Sequence, residues 1–324
     1  MTTEARLGVL LMTYGSPADA DDVPRYLSAV RGGREPSAEL VTEFRRRYEV
    51  IGGSPLIPIS RAQAAAVETR LRSQGVDARA AAAMRFSPPT IAEQLRRLAE
   101  AGCEEVVGII MSPQYSELLM AGYHRALSEA AAALGVDAPS LVLAPAWYRS
   151  EGFLTAVAER IREGLRRLPY EEQQAAPVLL TAHSLPRRVA EQEPAYLAQL
   201  RETAELVAAR AELPGSRWRF GWQSAGHEPG EWMTPDFADL VPELHRAGHR
   251  SVLVAPIQFL ADHLEVLYDI DVGARAQAEA VGMAFARIES LNLHPAFIGA
   301  LADVAGTARH LPGLAHAASG TDAG

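Results

Sequence analysis

The chain has 324 residues, 48% of them hydrophobic and 22% charged, so it can bury the cores of two ordinary domains and is not a disordered polymer. Its formal net charge of −9 excludes a general nucleic-acid binder, which needs a basic face. A single cysteine, Cys103, excludes an internal disulfide, a zinc ribbon and a cysteine-held iron–sulfur cluster.

The opening "MTTEARLGVLLMTYG" has no basic segment before its apolar run and no small-residue cleavage pattern after it, so no secretory signal is expected. Residues 6–13 read as a buried strand. Residues 36–49 read as a helix, with Ser37 at its N-cap and Glu39 at the positive end of its dipole. Leu40 stands where a full capping box has Glu or Gln. "IGGSPL" at 51–56 is a turn, 60–74 a helix and "ARAAAAM" a strand. "PPTIAEQLRRLAEAG" reads as a helix, with prolines at its start and Gly102 at its end. A strand in "EEVVGIIMSP", a helix over 117–134 and a strand in "SLVLAPAW" complete the first half. The second half repeats the rhythm: a helix over 151–167, a strand over 177–182, a helical region over 189–210 and a strand in "RWRFGWQS". A helix over 235–247, a strand in "SVLVAPIQF", a helix from Ala261, a strand in "AFARIESL" and a last helix over 294–309 follow. A disordered tail is expected over 312–324. The longest apolar runs fall far short of the ~20 residues that cross a bilayer, so a soluble, cytoplasmic protein without membrane insertion is expected.

Strands alternating with helices imply parallel sheets covered on both faces. The expected fold is α/β: two similar doubly wound domains with parallel four-stranded sheets, over 1–150 and 151–311, and an interdomain cleft. Neither a G-x-G-x-x-G after the first strand nor a G-x-x-x-x-G-K-[ST] occurs, which argues against a nucleotide site. In such sheets ligands bind beyond the carboxyl ends of the strands. Two strand-then-turn segments are alike there, "LGVLLMTYGSP" at 7–17 and "APVLLTAHSLP" at 176–186. Aligning their Leu-Leu pairs puts Tyr14 opposite His183 and Pro17 opposite Pro186. Each copy delivers a side chain able to bind a metal.

His183 offers a metal ligand or a base titrating near neutrality. In "DHLEVLYDID", a helix places Asp262, Glu265 and Asp269 on roughly one face, either as a solvated acidic stripe or as carboxylates for a divalent cation or a proton. Leu264, Val266 and Leu267 favour a buried helix, and His263 is placed to orient Glu265 or Asp262. Arg45-Arg46-Arg47-Tyr48, with Arg31 upstream and Ser54 downstream, is either a solvated face or an anion site. Tyr123, on the helix after "EEVVGIIMSP", reads as core or as cleft lining; Trp222 and Trp232, flanking a polar glycine loop, either line a cleft or cap the sheet.

Together, "TAHSLP" with "DHLEVLYD", and "LLMTYGSP", "RYEVIGGSPL", "SPQYS", "GWQS", "ARIESLN" and "PAFI", resemble the ferrochelatase family over most of the chain. The tyrosine of "MTYGSP" is typical of its soluble bacterial members, which insert iron into coproporphyrin III. The resemblance implies two Rossmann-type domains without a nucleotide, and a lyase that inserts Fe(II) into a porphyrin in haem biosynthesis. Coproporphyrin III, giving Fe-coproporphyrin III, is the substrate it favours over protoporphyrin IX. His183 and Glu265 are then the metal-site and proton-handling pair, with Asp262, His263 and Asp269 behind them. Tyr14 faces the opposite side of the ring as axial ligand, and with Arg31, Arg47, Tyr48, Ser54 and Tyr123 holds the porphyrin and its propionates. No cofactor is expected beyond the substrate Fe(II), and no iron–sulfur cluster. The implied partners are the porphyrin, Fe(II) and a transient product-accepting enzyme. A haem-binding carrier without turnover, or a chelatase for another metal such as cobalt, is the alternative. The presence of both His183 and Glu265 favours the enzyme, since a carrier needs no base opposite its axial ligand.

Overall fold

The computed structural model describes residues 6–226 and 230–313, so most of the tail expected to be disordered lies outside the described residues. The first half runs β1 (Leu7–Thr13), α1 (Val23–Val30), α2 (Ala38–Val50), α3 (Leu56–Ser73), β2 (Ala78–Met84), α4 (Ile91–Glu100), β3 (Glu105–Ile110), α5 (Glu117–Leu134) and β4 (Ser140–Leu143). The second half runs α6 (Glu151–Leu165), β5 (Val178–His183), α7 (Arg187–Ala190), α8 (Pro194–Arg210), β6 (Trp218–Gln223), α9 (Phe237–Arg246) and β7 (Ser251–Pro256). It ends with α10 (Leu264–Leu267), a π-helix (Asp269–Ala274), α11 (Arg275–Ala280), β8 (Ala284–Arg287) and α12 (Pro295–Ala308).

The strands form two parallel four-stranded sheets, ordered β2-β1-β3-β4 and β6-β5-β7-β8. The two orders are the same, and β1 and β5 hold equivalent central places. Leu7 lies opposite Ala78 and Glu105, as Val178 lies opposite Trp218 and Leu253. β1 and β5 are buried along almost their whole length, because helices cover both faces and no alternation with polar residues is needed. In each sheet the order reverses beside the central strand, and side chains leaving its carboxyl end enter the crevice formed there.

Several boundaries differ from the sequence reading for identifiable reasons. α1 has no counterpart in that reading; it is short, follows an acidic turn and carries Pro24 in its first turn, where the missing N–H costs nothing. The prolines read as the start of a helix precede α4, which begins after Thr90; Thr90 and Glu93 cap it reciprocally. The helical region over 189–210 is two helices, because Pro194 opens a new one. The helix expected from Ala261 starts only at Leu264 and widens into the π-helix, where the Tyr268 carbonyl accepts from the N–H groups of both Val272 (3.1 Å) and Gly273 (2.9 Å).

One apolar core runs through both halves, from Val9 and Ile109 in the first sheet to Leu180, Leu253, Phe297 and Leu301 in the second half. α12 packs on both α3 and α6, and Phe297 and Phe153, both fully buried, meet the Trp147 ring at centroid distances of 6.3 and 5.5 Å. Polar ties cross the seam: Gln114 Nε2 donates to Thr203 Oγ1 (3.0 Å) and Gln63 Nε2 to the Asn292 carbonyl (2.9 Å). Among the described residues no helix is long and apolar enough to cross a membrane.

Candidate functional site

His183 is the last residue of β5, so the strand register fixes its backbone, and its N–H donates to Gln258 Oε1 (2.9 Å) just beyond β7. The ring lies 2.5 Å from the Ser184 carbonyl through Nδ1. A carbonyl only accepts, so Nδ1 carries a proton and Nε2 is turned to the Glu265 carboxylate, 3.5 Å away. His263 repeats this arrangement, with Nδ1 2.8 Å from the Ala261 carbonyl and Nε2 2.9 Å from the other Glu265 oxygen. Phe259 is edge-on to both imidazoles, at centroid distances of 6.3 Å from His183 and 4.7 Å from His263. Glu265 therefore lies between two imidazoles whose Nδ1 atoms are already committed to backbone carbonyls.

The electrostatics follow. Burial opposes charge on Glu265, but the two imidazoles outweigh it and hold the carboxyl well below its usual range. Burial likewise opposes charge on His183 and His263, and the shared carboxylate overcomes it, raising both. Asp269 is pushed the other way, up, by burial and by the Glu265 charge, against the pull of Ser224 and Arg47. The site thus combines one anion, two proton-retaining imidazoles and one carboxyl group that takes up a proton more readily than usual.

From the first half, Tyr14 leaves the end of β1 with 43% of its surface exposed and its ring edge-on to Phe86 at 4.6 Å. The turn beneath it is fixed. Gly15 adopts φ +100°, and a Cβ there would strike Ser87. The Ser16 N–H donates to Ser87 Oγ (3.2 Å), and Tyr26 Oη donates to the Gly15 carbonyl (2.9 Å). Partial burial and then the Glu265 carboxylate push the Tyr14 phenol up, while Arg85 pulls it down. Tyr48 is raised by burial and by the same carboxylate. The charge of Glu265 thus reaches side chains of both halves.

The other predicted residues divide. Tyr48 is buried with Val23, Leu27 and Leu264, so it joins the halves as well as flanking the site. Arg47 donates to Glu43 (2.8 Å), lies 3.7 Å from Asp269 and faces the Tyr268 ring at 5.1 Å. Arg31 has a buried Nε without a hydrogen-bond partner among the described residues, an unmet donor on the first-half side. Ser54 Oγ accepts from the Leu56 N–H (3.4 Å), an ordinary turn contact. Tyr123 is buried beneath the Arg85 guanidinium, 5.3 Å from its ring centre. Asp262 is the correction. It precedes α10, because His263 is extended backbone, and it turns away from Glu265 to accept from Ser290 and Asn292 (2.8 Å each). The helical spacing that grouped Asp262 with Glu265 and Asp269 does not apply. Trp222 is core, against Phe220.

A family model described as Ferrochelatase matches residues 6–308 of the chain. The chain belongs to the ferrochelatase family. A ferrochelatase of Deinococcus radiodurans is 37% identical, over 94% of this chain and 96% of its own length. Coproporphyrin III ferrochelatases of Anoxybacillus flavithermus and Bacillus subtilis are 35% and 34% identical, each over 92% of this chain and 95% and 96% of theirs. Among solved structures, SirB from Bacillus subtilis with Fe3+ shares the fold at a TM-score of 0.57 and 11% identity, over 94% of this chain and 96% of that one. The sirohydrochlorin chelatase SirB of Bacillus subtilis subspecies spizizenii, in complex with cobalt, gives 0.54 at 10% identity, over 95% and 97%. As a ferrochelatase-family member the chain is a metal chelatase, a lyase. The candidate site also contains Arg85 and Tyr26, which sequence reasoning passed over, and Gln258 and Phe259, which open the "QFLADHLE" stretch that the strand-end rule marks after β7. Arg85 follows β2, the neighbour of β1, and Gln258 follows β7, so the rule that selects strand ends for Tyr14 and His183 also points to them.

Proposed function

We propose that this chain inserts Fe(II) into coproporphyrin III, with the ring held between the Tyr14 corner and the His183–Glu265 corner. The observation that supports this most is Glu265, bracketed by two imidazoles in one half, with Tyr48 of the other half packed against the neighbouring Leu264. Insertion replaces two pyrrole N–H protons by one divalent iron, so two protons must leave and the iron must shed water. The imidazoles face the carboxylate through nitrogens that retain protons. Arriving iron competes with those protons, because a metal ligand must be deprotonated. Once the iron has passed to the ring nitrogens, the same groups are free to accept the two pyrrole protons, and Asp269 relays them outward. Arg31, with its unmet buried donor, and Arg47 supply cations for the propionates, of which coproporphyrin III has four. The relatives named coproporphyrin III ferrochelatases support this substrate.

Anaerobic Fe(II) with coproporphyrin III, run beside protoporphyrin IX, tests the reading by the product's absorption spectrum. Faster insertion into coproporphyrin III is expected. Equal or better use of protoporphyrin IX rejects the substrate assignment, and no insertion into either ring rejects the activity.

A further inference from the structure

Arg287 ends β8, the edge strand of the second sheet, and has no place in the site described above. Its side chain is only 11% exposed, and every nitrogen is engaged. Nε and Nη2 donate in parallel to the two oxygens of Asp271, 2.8 Å each, a bidentate pair. Nη1 donates to the Ile288 carbonyl (2.8 Å) and lies 3.4 Å from Asp262 Oδ1. Asp262 is held in turn by Ser290 and Asn292, whose Oδ1 also accepts the Asp262 N–H (3.0 Å). Asp262 precedes α10, and Asp271 lies within the π-helix. One guanidinium therefore fastens both ends of the segment that carries His263, Glu265 and Asp269.

That segment needs fastening. α10 is a single turn, and the π-helix that follows makes wider turns with poorer hydrogen-bond geometry than an α-helix. Neither is long enough to hold its own shape in isolation. Yet Glu265 must keep two imidazole contacts at once, one to His263 on the same segment and one to His183 on β5. A shift of the segment against the sheet would break the His183 contact first, because the His263 contact moves with it. We propose that Arg287 is a positioning residue for metal insertion, setting Glu265 against His183 by clamping Asp262 and Asp271 to the sheet edge. The inference rests on the functional reading above and deepens it.

The test combines Arg287→Met, Arg287→Lys and Asp271→Asn with two readouts in the full chain: iron insertion into coproporphyrin III, and amide hydrogen exchange. Arg287→Met should lower kcat about 10- to 100-fold, the usual loss when a group that orients a metal ligand is removed. Its KM for the porphyrin should stay close to the parent's. Exchange should accelerate over 264–274 and not in β5 or β7. Arg287→Lys should fall between, since an ammonium keeps the charge but cannot bind Asp271 through two parallel donors. Asp271→Asn should move both readouts in the same direction, and it decides the matter if Arg287→Met does not fold. Parental kcat in Arg287→Met or Asp271→Asn overturns the proposal, as does unchanged exchange over 264–274. If the parent chain inserts no iron, the functional reading fails; the exchange result then decides the clamp alone.

Discussion

The ends of β1 and β5 are the same place in two sheets of identical strand order, and they carry opposite chemistry. At the end of β1, Tyr14 stands half in solvent on a rigid turn, and the charged group that most lowers its phenol is the cation Arg85. At the end of β5, His183 is locked by a backbone carbonyl and paired with a carboxylate that a second imidazole also grips. A repeated fold thus ends one central strand in a phenol beside a guanidinium and the other in an imidazole beside a carboxylate. The backbone sets where the side chains emerge, and the neighbouring elements set what they do.

Changes at the β5 corner should break this contrast with the largest effect. Glu265→Gln keeps the shape but removes the charge between the imidazoles, and should slow iron insertion about 100- to 10,000-fold. Porphyrin binding, followed by fluorescence, should be retained. His183→Ala should behave the same way, and normal turnover in either variant would sink the assigned roles. Next, Phe297→Ala should cost about 3–5 kcal/mol, as for a fully buried ring. Because α12 packs on both halves, calorimetry should show one shifted transition; two separate transitions would mean that the halves are independent. Tyr14→Phe should alter the absorption of the iron-loaded product while changing kcat less than about tenfold, equivalent to about 1.4 kcal/mol. An unchanged spectrum would remove Tyr14 as axial ligand.

The finest test is titration of the metal-free protein. The two imidazoles are raised, so their pairing contributes stability that is fully present below the ordinary imidazole value of about 6.5 and is lost as pH rises through their higher folded values. Glu265 is depressed, so its contribution is present above the ordinary carboxyl range and is lost as pH falls through its folded value. The destabilisation caused by Glu265→Gln should therefore be greatest between those limits and shrink on both sides. NMR should find the His183 and His263 midpoints above those of free histidine, and lower in Glu265→Gln.

Much of this was legible in the sequence because it depends on local pattern. The alternation of apolar runs and amphipathic segments pointed to eight parallel strands, and the Leu-Leu alignment of 7–17 with 176–186 pointed to the equivalence of β1 and β5. Glu265 and His263 could be paired from the chain because they are two residues apart. What stayed hidden depends on contacts between distant segments or on irregular backbone. Asp262 was grouped with Glu265 on helical spacing, but the helix starts after it, and its partners lie beyond β8. Arg47 and Tyr48 read as a ligand site; that they also join the halves through Tyr268 and Leu264 follows from packing alone. A π-helix has no sequence period of its own, so the turn that sends Asp271 to Arg287 could not be foreseen.

The order in which the chain is synthesised gives α12 one more consequence. Phe297 and Leu301 complete the core that both sheets share, and they follow all eight strands in the chain. Until they arrive, apolar faces of α3 and α6 remain wet, and the two halves are joined by fewer contacts, among them Gln114 with Thr203 and Tyr48 with Leu264. A chain cut before α12 would keep Tyr14, His183 and Glu265 and lose the packing of α12 on α3 and α6 that helps hold the two halves together.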